Sequence, residues 1–123
     1  MSERPLILCA DDDADILSLV SLRLGRAGYE VLTAADGQTA LELARARRPV
    51  LAVLDVMMPR LTGVEVLAEL RRDAAFAGLK VILLSARVLE PDVTRGLDAG
   101  ADAYVPKPFR AKELVDEVER LLR

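Results

Sequence analysis

Short, unbroken apolar runs alternating with amphipathic segments of helical length leave this chain few folds. Leu6-Ile7-Leu8-Cys9-Ala10, Val50-Leu51-Ala52-Val53-Leu54, Val81-Ile82-Leu83-Leu84 and Ala103-Tyr104-Val105-Pro106 show no polar alternation. They read as strands buried on both faces, the pattern of a parallel sheet covered by helices. A weaker run, Val31-Leu32-Thr33-Ala34, follows Gly28-Tyr29 and reads as an edge strand. Between the runs, Ile16, Val20, Leu24 and Ala27 share a helical face with Asp13 as its N-cap. Residues 36–47 carry Ala40, Leu41 and Ala44 on one side. Thr62-Gly63-Val64-Glu65 fits a capping box opening a helix to about Arg72. Val93 and Leu97 mark a short helix after Pro91 that ends near Gly100. Leu114, Val115, Val118, Leu121 and Leu122 stripe a final helix. Five β-α units joined by right-handed crossovers predict a doubly wound α/β sheet with helices on both faces.

The chain has 123 residues, which predicts a single domain over 1–123 with a real core. Its apolar runs are too short to cross a membrane, and the first meets three aspartates at once, unlike a signal peptide. A cytoplasmic location is the resulting expectation. With 17 basic and 20 acidic residues the chain has no basic footprint for direct nucleic-acid binding. It contains no histidine, so imidazole chemistry is excluded. The lone Cys9, in the middle of a strand, reads as a buried, inert thiol.

Each apolar run ends in a residue suited to phosphate or metal. The first delivers Asp11-Asp12-Asp13, the second Asp55, the third Ser85 and the fourth Lys107. In neighbouring parallel strands these ends share one sheet edge, where open α/β sheets bind ligands. Clustered carboxylates repel one another unless a cation intervenes, and Mg²⁺ is a hard ion that takes oxygen ligands. Asp13 reads as a helix cap. Asp55 closes an apolar strand, where a charge needs a partner or a task. A carboxylate there can attack phosphorus to form an acyl phosphate, a transfer that needs mainly positioning and charge neutralisation. Lys107 would pair with the phosphoryl oxygens, and Ser85 would donate a hydrogen bond to one of them.

Four segments together resemble the receiver domain of bacterial two-component response regulators, the chemotaxis regulators included. They are Ile7-Leu8-Cys9-Ala10-Asp11-Asp12, Asp55-Val56-Met57-Met58-Pro59-Arg60-Leu61-Thr62-Gly63, Leu83-Leu84-Ser85-Ala86, and residues 99–109 from Ala99-Gly100 to Pro108-Phe109. The resemblance implies a flavodoxin-like strand order, 2-1-3-4-5. It implies that Asp55 accepts a phosphoryl group from a sensor histidine kinase or histidine phosphotransfer protein. Asp11, Asp12, Asp55 and the backbone carbonyl of Met57 would hold Mg²⁺, and Ser85 and Lys107 would contact the phosphoryl group. Tyr104 would be the aromatic switch, altering the surface of the fourth helix, fifth strand and fifth helix that a downstream effector reads. The bond before Pro108 would be cis, as only X-Pro bonds commonly are. Such a domain is no enzyme beyond its own phosphorylation and dephosphorylation, and it can form homodimers.

Two departures stand out: Met57 and Arg87 lie two residues after Asp55 and Ser85, where they would screen phosphorus and lengthen the life of the phosphorylated form. The main rival is a haloacid-dehalogenase-type phosphohydrolase, with Asp11 as nucleophile and Asp13 as acid/base. Against it, Ala14 and Asp15 break that motif. Nucleotide-binding glycine loops are missing too.

Overall fold

The computed structural model describes residues 4–86 and 90–123, with the side chains of residues 90–93 outside that description. Strands β1 (Leu6–Ala10), β2 (Glu30–Ala34), β3 (Leu51–Asp55), β4 (Lys80–Ser85) and β5 (Ala103–Pro106) alternate with helices. These are α1 (Ala14–Arg26), α2 (Gly37–Arg47), α3 (Gly63–Arg71), α4 (Glu90–Asp98) and α5 (Ala111–Leu122). A 3₁₀ turn at Ala74–Phe76, which carries no periodicity to betray it, follows α3. All strand pairs are parallel, in the order β2-β1-β3-β4-β5. The doubly wound, flavodoxin-like sheet is therefore as expected. Because β2 and β3 flank β1, the connections leaving β1 and β3 diverge and open a crevice beyond their carboxyl ends.

The uniformly apolar strands feed two cores, one on each face. Leu8, Ala10, Ala52, Leu54, Val81 and Leu83 pack with Ala40, Leu41 and Ala44 of α2 and Val66, Leu67 and Leu70 of α3. The alternate residues Ile7, Cys9, Leu51, Val53, Ile82 and Leu84 pack with Val20 and Leu24 of α1 and Leu114 and Val118 of α5. Cys9 lies in the second core, where burial pushes its thiol up to about 12, so it is inert at neutral pH.

Helix starts follow local chemistry. Asp13 accepts hydrogen bonds from the backbone of Asp15 and Ile16, and Asp36 from that of Thr39. The Thr62–Glu65 capping box is closed in both directions.

Some expected positions move. Val50 lies just before β3 and is exposed, its backbone N–H bonding to Leu6 O. Ala27 is the exposed C-cap of α1 rather than part of its buried face. In α4, Leu97 is exposed and Gly96 is buried against the sheet. The Val93 side chain lies outside the described residues. In the α5 stripe Leu114 and Val118 are fully buried, while Val115, Leu121 and Leu122 are partly so.

Candidate functional site at the carboxyl edge of the sheet

The register of the central strands decides what meets beyond them. Ala10 pairs with Leu54, Asp55 with Leu84, and Ser85 with Pro106. Asp11, Asp55, Ser85 and Lys107 therefore emerge side by side. Carboxylate oxygens of Asp11, Asp12 and Asp55 all lie within 4.8 Å of one another. Lys107 reaches into this group, its Nζ 2.8 Å from Asp11 Oδ2 and 3.1 Å from Asp55 Oδ2. Asp11 and Asp55 are buried, while Asp12 is exposed at the rim.

Each side chain is held by its backbone surroundings. Asp11 Oδ1 accepts the Asp13 N–H at 2.9 Å, and Asp55 Oδ1 accepts the Met57 N–H at 3.3 Å. Lys107 donates its own N–H to Ser85 O at 2.8 Å and leads into a cis bond to Pro108. Ser85 is fully buried at the end of β4. The loop after Asp55 runs so close to α3 that a Cβ on Gly63 would collide with the Asp55 carbonyl. One on Gly37, at the start of α2, would strike Leu61 of the same loop. Only glycine permits either approach. Sequence reading placed Gly63 in a capping box and at the end of a family segment without giving it a packing role, although a glycine inside the first turn of a helix was itself a signal of close backbone contact.

The electrostatics leave room for a cation. Burial, partly offset by Lys107 and reinforced by Asp11, pushes the Asp55 carboxyl up to about 6. Burial would lower the Lys107 ammonium, but its ion pair with Asp11 and its hydrogen bond to Asp55 outweigh that and raise it. Asp11 Oδ2 is buried without a well-directed hydrogen bond and faces that ammonium at 2.8 Å. Three carboxylates against one ammonium, all oxygen donors on the acidic side, suit a hard divalent ion.

Two further features escaped sequence reading. Arg71, at the end of α3, donates to Gly100 O at 3.2 and 2.9 Å and to Phe76 O at 2.9 Å. Asp102 accepts from Arg71 at 3.2 Å and from the Val81 N–H at 2.8 Å. This clasp ties the α4–β5 turn to α3 across 29 residues, a span no local pattern reports. On α4, a Cβ at Gly96 would lie 3.1 Å from the Tyr104 ring, which is half-buried. Of the two expected screening residues, Met57 is 56% exposed, its backbone N–H held by Asp55 Oδ1. Arg87 lies outside the described residues.

An open 2-1-3-4-5 sheet with an acidic cluster and one lysine at its carboxyl edge defines the receiver class of α/β domain. The chain belongs to the response regulator receiver domain family, whose model matches residues 7–119. It is 42% identical over 117 residues to the alkaline phosphatase synthesis transcriptional regulatory protein PhoP of Bacillus subtilis, covering 95% of this chain and 48% of that protein. It is 43% identical over 119 residues to the DNA-binding dual master transcriptional regulator RpaA of Synechocystis, covering 97% and 49%. The chain thus spans about half the length of these relatives. Among solved structures it resembles the chemotaxis response regulator CheY4 of Vibrio cholerae, with a TM-score of 0.92 and 32% identity over 97% of this chain and 99% of that one. The domain therefore serves two-component signalling. The phosphohydrolase alternative finds no support: Asp13 is occupied in capping α1, and the carboxylates that converge are Asp11, Asp12 and Asp55. Among the described residues no helix is long and apolar enough to cross a membrane.

Proposed function

We propose that Asp55 accepts a phosphoryl group from a sensor histidine kinase or a histidine phosphotransfer protein in the cytoplasm, and that residues 1–123 act as one receiver domain. The observation that carries this is the meeting of Asp11, Asp12 and Asp55 around Lys107 at the mouth of the crevice. Asp11, Asp12, Asp55 and the Met57 carbonyl would hold Mg²⁺, which supplies charge neutralisation between the carboxylates and the incoming phosphoryl group.

Asp55 must be ionised to attack, and Lys107 favours that form. As the Asp55 oxygen bonds to phosphorus, Lys107 moves its hydrogen bonds onto the phosphoryl oxygens, and Ser85 donates to another. The acyl phosphate adds charge and strong acceptors at the crevice. Ser85 is drawn towards them, Tyr104 repacks beside it, and the surface of α4, β5 and α5 shifts towards the form a downstream effector protein or domain binds. The phosphoryl group biases two pre-existing packings rather than creating one. Homodimerisation through that surface belongs to the same reading, as does catalysis confined to the domain's own phosphorylation and dephosphorylation.

Incubation with acetyl phosphate and Mg²⁺, followed by mass spectrometry, tests the reading. Label on Asp55 that is lost in Asp55→Asn and with chelator is the expected result. Label elsewhere, or none, overturns it.

A further inference from the structure

Beside the acidic crevice lies a groove of about 320 Å³ lined by Ile16, Leu19, Ala86, Lys107, Pro108 and Phe109. Its walls come from α1, from the residue after β4, and from the turn between β5 and α5. Four of the six side chains are sizeable and apolar, and Leu19 is 46% exposed although it faces this groove. Groove and crevice share Lys107, whose ammonium reaches Asp55. Ala86 directly follows Ser85. The groove therefore begins where the residues assigned to the phosphoryl oxygens end.

An in-line displacement fixes what belongs there. Asp55 attacks phosphorus from the floor of the crevice, so the leaving group departs on the opposite, outward side. The apolar groove adjoins the crevice at Lys107, and its size lies at the small end of ligand sites, enough for a short acyl chain or a ring.

We propose that this groove is the leaving-group subsite, and that it makes the domain prefer acyl phosphates with an apolar tail, such as butyryl phosphate, over acetyl phosphate. The proposal rests on Asp55 as acceptor. In the step, the bond from phosphorus to the acyl oxygen breaks and a bond from an Asp55 carboxylate oxygen to phosphorus forms. The acyl carboxylate leaves with the electron pair as an anion, so no proton is required. Charge is conserved: one carboxylate is consumed and one released.

The test compares butyryl and acetyl phosphate, both with Mg²⁺, by the second-order rate of Asp55 labelling. The two donors share their reacting bond and differ by two methylenes, each contributing about a factor of four when wholly covered. Cover from one side predicts about a fourfold preference for butyryl phosphate. In Leu19→Ser, an exposed position where folding is not at stake, that ratio falls towards one. Independently of turnover, butyrylphosphonate with Mg²⁺ shifts the Ile16 and Leu19 methyl resonances in the wild type, and methylphosphonate with Mg²⁺ does not. Asp55 labelled equally fast by both donors, or methyl resonances that stay put, overturns the subsite alone. No label on Asp55 from either donor instead sinks the acceptor reading beneath it.

Discussion

Asp55 holds a proton more tightly in the folded chain than in the unfolded one, because folding strips water from it beside Asp11. Below the ordinary carboxylate range both states are protonated and position 55 costs nothing. Between there and about 6 the native state binds more protons, so stability falls as pH rises, and above that the penalty is complete. In metal-free protein Asp55→Asn should therefore raise stability at pH 7.5 by on the order of 2 kcal/mol, and urea titrations at pH 4 should show no gain. Lys107→Ala acts in the opposite direction. It leaves two buried carboxylates without their ammonium, and the urea midpoint at pH 7.5 should drop by the equivalent of about 3 kcal/mol. Met57 follows Asp55 by two residues and is exposed. If Asp55 is the acceptor, Met57→Asn should admit water and shorten the acyl phosphate's lifetime, measured by phosphate release.

Elements differ in how far local sequence could specify them. The edges of β1, β3, β4 and β5 were legible because an apolar run ending in Asp, Ser or Lys has few other meanings. α1, α3 and α5 declared themselves through caps and periodicity. α4 was read from Val93 and Leu97 and the helix is there, but Leu97 is exposed, and among its described side chains the inward position is Gly96, which leaves no apolar stripe to count. The Arg71 clasp depends on partners distant in the chain, as with Arg71 and Gly100, and the 3₁₀ turn is too short to show a periodicity. Glycines separate these cases experimentally. Gly25, near the end of α1, has nothing within 4 Å of where a Cβ would stand, so Gly25→Ala should stabilise by about 0.5 kcal/mol. Gly63→Ala meets the Asp55 backbone, which cannot step aside, and should destabilise by more than about 2 kcal/mol in thermal unfolding.

At the scale of the molecule, the site was readable because one topology places four strand ends in a row. What sequence could not supply was the depth of Asp55 and Asp11 and the hold of Lys107 on both, since burial and distance are products of the whole sheet. A divalent ion binding the native carboxylates and not the unfolded chain should stabilise by mass action. Above its dissociation constant, each tenfold rise in free Mg²⁺ should add about 1.4 kcal/mol at pH 7.5, and Asp12→Ala should flatten that dependence. The sheet that carries the site also divides it. Ile16 and Phe109 pack with the core under α1 and α5, whereas Tyr104 packs with the core under α2 and α3. On the proposed reading, α1 serves the donor's face alone and Tyr104 answers from the opposite one, while α5 is a tenant of both, packed with the first core and part of the surface an effector reads. Changes to Leu19 can therefore stay private to the donor, whereas changes to α5 are heard on both sides.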